Sequence, residues 1–351
     1  MKFGLKSVTG QVEAVSFLRD AAKCVCLGQG QGHLLLTGPS GLGKTTLAEA
    51  FADDIGSTCF SVLASTCGGF VGLTQIMVRM QAKDVLFIDE IHELSKEDQL
   101  KLFLALEGKP FAIKDPKTKV ERFITLPKVV FIGATTHRNH LLTAFANRFK
   151  FSIMLTSYTQ EELTQIACDV ACREHDLNLA ATQSSFEVAC LLARLCHGVP
   201  REIKSLLSLI MVRAISENGL SVRPQHITPR LVGDVLKRQH IDPLVGFDKE
   251  SREYLAALET RTKGASSQTL ANLINVEGAT VEKKIEPYLL RPITMQYTRV
   301  SGGGQERVTS TGPFIEKQAS GRVLTDLGRE YVKCCRSAQA AGWFQGECLE
   351  Y

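Results

Sequence analysis

No run of residues in this chain approaches the ~18 uninterrupted apolar positions that a membrane-crossing helix needs, so no membrane partner is expected. Residues 1–15, MKFGLKSVTGQVEAV, lack the apolar centre of an export signal. That predicts a reducing, cytoplasmic setting. Neither sign of charge dominates: the net charge is +4 over 351 residues. Composition therefore forces no electrostatic grip on nucleic acid, and any basic face must be local. CxxC spacing is absent, and no cysteine pair is joined by a suitably spaced histidine pair, which disfavours zinc. The eleven cysteines read as reduced thiols that pack as small apolar groups. A disulfide framework would need an oxidising compartment, and nothing points to one. No internal repeat is evident.

What the chain does have is length and rhythm. Its 351 residues suggest two or three domains. The first ~150 residues alternate apolar runs with helical patterns, as βαβ units around a parallel sheet do. The runs are HLLLTG (33–38), CFSVLAS (59–65), DVLFIDE (84–90), KVVFIGATT (128–136) and FSIMLTS (151–157). Several lack alternation, as strands buried on both faces should. From residue 158 helical spacing takes over. Thr159 and Glu162 have capping-box spacing, Gly198 reads as a helix C-cap, and Pro200 and Pro229 occupy favoured first-turn positions. HIDPLVGFD (240–248) reads as a linker. Three further helical patterns and two strands, PITMQYTRV and GRVLTDL, then suggest a winged helix, with SGGGQERVTSTGP between them as a mobile loop.

The chemistry concentrates in GPSGLGKTT (38–46). Gly38-x-x-x-x-Gly43-Lys44-Thr45 follows the phosphate-loop pattern, with an apolar strand before it and a helical pattern after it. Glycines let successive N–H groups turn inward around phosphate oxygens, and the following helix adds its N-terminal field. Lys44 can reach β- and γ-phosphates, and Thr45 can ligate Mg²⁺. VLFIDE supplies Asp89 for the Mg²⁺ shell and Glu90 to polarise an attacking water, at the carboxyl edge of a parallel sheet. Together they point to ATP and Mg²⁺ and to hydrolysis. Thr135 and Thr136 end the next strand, where a hydroxyl can meet the water or the γ-phosphate or simply cap the strand end. Arg148 stands just before a strand, able to pair with a surface carboxylate or to reach a neighbouring subunit's phosphate. Arg201 sits in the first turn of a helix, where the dipole disfavours a cation, so a nearby anion is expected.

These motifs resemble the AAA+ ATPases. GPSGLGKTTLA, DVLFIDEIHELS, FIGATTHRNHLLTAFANRF, GVPREIKSLL and IEPYLL…GRVLTDLGREYV further resemble the RuvB family, the bacterial Holliday-junction branch-migration motors. The likeness runs from Gly10 to about Val332. It implies an α/β fold: a P-loop AAA+ core with a parallel sheet (1–157), an all-helical lid (158–241) and a C-terminal winged helix (242–336), before a tail (337–351). It also implies residue roles. Gly38, Pro39, Ser40, Gly41, Leu42, Gly43, Lys44, Thr45 and Thr46 would line the phosphates. Val8 and Thr9 would contact adenine. Thr136 would be the first sensor, Arg201 the second, and Arg148 the finger acting in trans. Arg322 would touch the DNA backbone. RuvB-like proteins form hexameric rings on duplex or branched DNA, with RuvA as partner.

Departures from the family pattern fall in three places. The segment that binds RuvA reads FAIKDPKTKVERFITL here, with lysines and acids crowding its tip. Residues 299–321 lengthen the wing. The tail CCRSAQAAGWFQGECLEY has no family counterpart. A second reading uses the same ATP site: a nucleotide-switched matchmaker that loads a partner protein on DNA without translocating.

Overall fold

The computed structural model describes residues 3–28, 32–114, 121–261, 264–301 and 304–340. They belong to two compact units, residues 1–158 and 159–351. The first unit carries β1 (Leu34–Thr37), β2 (Cys59–Leu63), β3 (Val85–Asp89), β4 (Phe111–Lys114), β5 (Glu121–Ile124), β6 (Val130–Thr135) and β7 (Phe151–Met154). Five of them form one parallel sheet in the order β2-β3-β6-β1-β7. Its helices are α1 (Val12–Cys26), α2 (Lys44–Asp54), α3 (Gly69–Met77), α4 (Lys96–Leu106) and α5 (Thr143–Ala146).

The triple leucine of β1 explains the sheet's position. Leu34 and Leu36 join Leu18, Leu47 and Phe51 on one face, whereas Leu35 joins Leu73, Leu102 and Phe145 on the other. All three leucines are fully buried. Such side chains contribute roughly 1.5–3 kcal/mol each on burial. Covered on both faces, β1 needs no polar alternation. The edge strand β2 is only partly buried, despite its apolar sequence. β4 and β5 stand apart as an antiparallel ribbon, and the charged tip at 115–120 lies outside the described residues.

The second unit begins with α6 (Gln160–His175), α7 (Gln183–Leu195), α8 (Pro200–Asn218) and α9 (Pro229–Arg238). Thr159 Oγ1 accepts from Glu162 N, and Glu162 Oε2 accepts from Thr159 N, completing a capping box. The segment read as a linker folds tightly around Asp242, which is 1% exposed. Its carboxylate accepts the N–H groups of Leu244, Val245 and Phe247 and the hydroxyl of Tyr331.

The C-terminal winged helix contains α10 (Lys249–Glu259), α11 (Ser267–Leu273) and a helical run of α12 (Gly278–Thr280), a π turn (Val281–Ile285) and α13 (Glu286–Leu289). β8 (Ile293–Ser301), β9 (Gly304–Gly312), β10 (Ile315–Gln318), β11 (Gly321–Leu324) and α14 (Asp326–Ala340) follow. Here the structure corrects the expectation of one ribbon around a mobile loop. β8 pairs with β9, from Ile293 opposite Gly312 to Ser301 opposite Gly304. GQERVTSTG is thus a strand, and GRVL pairs instead with β10. Tyr297 faces Val308, and the hydroxyls of Thr294 and Thr311 meet at 2.8 Å. α14 runs through Ala340, past the expected start of the tail at 337, and residues 341–351 lie outside the described part.

Candidate active site

The loop after β1 is shaped by three left-handed glycines, Gly38, Gly41 and Gly43. Gly38 has φ 141°, and a Cβ there would stand 2.9 Å from the Leu155 carbonyl oxygen. Gly43 has φ 92° and turns the chain into α2. No L side chain adopts such a backbone without strain. Gly38 N also donates to Thr135 O at 3.2 Å, which ties the loop to β6. Lys44 opens α2 and is 6% exposed. Its Nζ donates to Gly38 O at 2.9 Å and Pro39 O at 3.0 Å. Burying an ammonium is costly without strong acceptors, and the loop's own carbonyls hold this one at the mouth of the turn. Thr45 is half-buried beside it, and Ser40 and Thr46 are exposed.

Across the sheet edge, β3 ends at Asp89 and β6 at Thr135, with Ile88 opposite Gly133 in the ladder. Glu90 takes a left-handed φ of 46°, rare for a residue with a side chain. Its Oε2 accepts from Thr136 N at 3.2 Å and from Thr136 Oγ1 at 3.0 Å. Asp89 Oδ1 accepts from Glu90 N at 3.0 Å. The structure therefore brings together the acid and the hydroxyl that the sequence placed on separate strands. His92 joins them: its Nδ1 lies 3.2 Å from Glu90 Oε2 and 3.0 Å from Thr135 Oγ1. Burial lowers the His92 pKa, against the opposing pull of Glu90 and Glu93. Sequence reasoning passed over His92, although it lies two residues after Glu90.

Val8 packs against the α1–α2 core layer, and Thr9 beside it is half-buried. The segment is pinned by Gln11, which sequence reasoning did not single out. Gln11 Nε2 donates to Thr156 O at 2.5 Å, and Thr156 N donates to Gln11 Oε1 at 3.3 Å. Tyr158, also unforeseen, donates its hydroxyl to Leu42 O at 3.0 Å. Together they draw the Val8–Gln11 segment and the end of β7 toward the phosphate loop.

Three further arginines have the following surroundings. Arg148 is half-exposed over the Phe103 ring, 4.5 Å from its centroid, and bonds Glu107 at 2.8 Å. Arg201 is exposed in the first turn of α8, in the second unit. Arg322 forks onto Glu286, Nε to Oε1 at 2.8 Å and Nη2 to Oε2 at 3.1 Å. Glu286 is 1% exposed and also accepts the Tyr254 hydroxyl. Much of the Arg322 guanidinium is therefore engaged within the winged helix. The ten described cysteines are free thiols. Among the described residues no group of three or more His, Cys, Asp or Glu is placed to hold a metal ion, and no helix is long and apolar enough to cross a membrane.

A glycine-shaped loop with its lysine, a helix N-terminus, an acidic pair and a hydroxyl-bearing strand end, all at one edge of a parallel sheet, define a P-loop nucleotide-binding ATPase of the AAA+ type. Residues 5–155 match the family described as Holliday junction DNA helicase RuvB P-loop domain, and residues 244–299 match the RuvB C-terminal winged helix domain. The Holliday junction branch migration complex subunit RuvB of Synechococcus sp. (strain CC9902) is 30% identical over 334 residues, covering 93% of this chain and 87% of that protein. Its counterpart in Parasynechococcus marenigrum (strain WH8102) is 31% identical over 335 residues, covering 94% and 87%. The solved Thermotoga maritima RuvB Holliday junction branch migration motor superposes with a TM-score of 0.70 at 25% identity, over 94% of this chain and 97% of that one. The chain belongs to the RuvB family.

Proposed function

We propose that this chain is a DNA motor that hydrolyses ATP to translocate duplex DNA and drive branch migration of four-way junctions in recombination and repair. One observation carries the reading: the Glu90 carboxylate bonds Thr136 at the sheet edge, where the Lys44 loop also ends its turn. In this reading Lys44 binds the β- and γ-phosphates, with Gly38–Thr46 around them. Glu90 takes the proton of the attacking water, and Thr136 orients that water or the γ-phosphate. Val8 and Thr9 contact adenine. Thr45 and Asp89 offer hydroxyl and carboxylate oxygens, a hard donor set that suits Mg²⁺. That ion, when bound, neutralises developing phosphate charge.

The remaining roles extend the proposal. Arg201 meets the nucleotide from the lid, and Arg148 completes the site of a neighbouring subunit in a hexameric ring. The chain divides into a core (1–157), a lid (158–241), a winged helix (242–336) and a tail (337–351), with α14 running from the winged helix into the start of the tail. Arg322 offers DNA the Nη1 edge that its fork onto Glu286 leaves over. A RuvA-like junction-binding partner and a cytoplasmic setting complete the picture.

Migration of a synthetic four-way junction tests the reading. Lys44→Ala is expected to lose ATP binding and migration together. Glu90→Gln should bind ATP yet turn it over about 10²–10⁴-fold more slowly, the usual worth of a positioned base. Junctions that migrate at the normal rate in either variant would refute the motor. ATP turnover without junction movement in the parent chain would favour the loader that recruits a partner.

A further inference from the structure

A cleft of about 550 Å³ opens between α10 and α14 of the winged helix, within the roughly 300–1,000 Å³ of pockets that hold compact ligands. Its apolar lining is Tyr331, Val332, Cys335 and Ala256. Ala256 is exposed and leaves the middle of α10 uncovered. Its charged lining is three cations, Lys249, Arg252 and Arg336, beside one carboxylate, Glu253. Lys249 meets Glu253 at 3.6 Å, and Arg336 pairs with Glu259 while 63% exposed. Exposed pairs of this kind are weak and exchange partners at little cost. Arg252 donates to His240 O at 2.9 Å. The cleft therefore suits an occupant that joins apolar side chains to acidic ones.

The chain carries such a segment next to it. α14 continues past Arg336 to Ala340, about 6 Å further at ~1.5 Å per residue. AGWFQGECLEY (341–351) follows. It combines Trp343, Phe344 and Leu349 with Glu347 and Glu350 and has no lysine or arginine. Gly342 stands two positions past the last helical residue, where glycine lets a chain turn back. Residues 343–350 span up to ~26 Å when extended, enough to return along α14 beyond Arg336. We propose that the α10–α14 cleft is the docking site of the chain's own segment 341–351, its aromatic side chains on the apolar lining and its two glutamates on the cations. A short tether holds the segment at millimolar effective concentration, so a modest fit suffices. The tail that departs from the RuvB pattern thus has a place on the winged helix.

Trp343 is the chain's single tryptophan, so its fluorescence reports on the segment alone. The test is acrylamide quenching of the full chain against the free peptide 341–351, with thermal melts to confirm folding. At ~1 mM effective concentration a site of ~0.1 mM affinity is filled about nine times in ten, so quenching should be about tenfold weaker in the chain than in the peptide. Ala256→Arg, on the exposed face of α10, fills the cleft with a charged side chain and should restore the quenching of the free peptide. Glu347→Lys combined with Glu350→Lys should do the same, and added salt should move the parent in that direction. A parent chain that quenches as the peptide does overturns the proposal. So does protection that survives Ala256→Arg or the double change, because Trp343 would then be covered elsewhere. Protection that falls as the chain is diluted places the segment in a neighbour's cleft and overturns its assignment to its own chain.

Discussion

His33 is the residue whose state is most tightly dictated by the fold around it. It is 4% exposed at the start of β1. Phe131 N donates to its Nδ1 at 3.1 Å, and its Nε2 lies 3.0 Å from Leu106 O. One nitrogen must accept and the other donate, so the ring is neutral with its proton on Nε2. A second proton would face an N–H. Burial accordingly pushes the pKa down from 6.5 to about 4, with the Leu106 bond pulling weakly the other way. Because the folded value lies below the unfolded one, the neutral ring's contribution is complete above pH 6.5. It is lost as pH falls toward 4, by about 3 kcal/mol at most. Melts of the parent chain from pH 7 to pH 4 should show that loss. His33→Gln should be less stable at pH 7 yet fall less on acidification; equal slopes would clear His33 of the acid response. Nothing in HLLLTG announced this, because both partners lie in distant sequence. The same holds for Arg322, a lone cation in GRVLTDL until Glu286 is folded against it.

At the scale of elements, legibility followed periodicity and punctuation. The strands of the core sheet stood out because each is a short apolar run bounded by turn residues, and the helices of the second unit because Thr159, Thr228 and Pro200 mark their starts. β9 was illegible for the opposite reason. Its GQERVTSTG is polar almost throughout, and only Val308, across from Tyr297, packs partly against the winged-helix core. Its pairing comes from the long antiparallel register with β8 and not from an apolar face of its own. Threonine and valine suit that pleated surface. Arg307, exposed opposite Thr298, carries positive charge out along the ribbon. Replacing residues 298–307 with an Asn-Gly turn between the paired Tyr297 and Val308 removes Arg299 and Arg307 and keeps the rest of the ladder in register. The shortened chain should melt close to the parent, bind duplex DNA more weakly and show a shallower dependence of log K on log salt. An unchanged salt slope would take the ribbon off the DNA.

The whole molecule raises the question of how many chains make one site. The order of sheet core, helices and winged helix was readable because each segment has its own period, and the sheet and the winged helix each have a core of their own. Assembly is not written in that way, since a residue that serves a neighbour looks idle in its own chain. In the proposed ring Arg148 would be such a residue. It rests on Phe103 and Glu107 of its own unit, 46% exposed. Ion pairs this exposed are worth roughly 0–1 kcal/mol, so leaving Glu107 for a phosphate costs little. An arginine acting in trans is worth about 10³–10⁵ in rate. Arg148→Ala should therefore bind ATP and fail to hydrolyse it, and Lys44→Ala should fail at binding. Mixing the two inactive chains decides where the arginine acts. In a ring with head-to-tail contacts, an Arg148→Ala chain still has Lys44, and a Lys44→Ala neighbour supplies Arg148. Random mixing at equal amounts would then assemble about one complete interface in four. Hydrolysis recovering to about a quarter of the parent rate, in step with subunit exchange followed by energy transfer between labelled chains, is the expected result. Exchange without recovery would place Arg148 in the service of its own subunit's site.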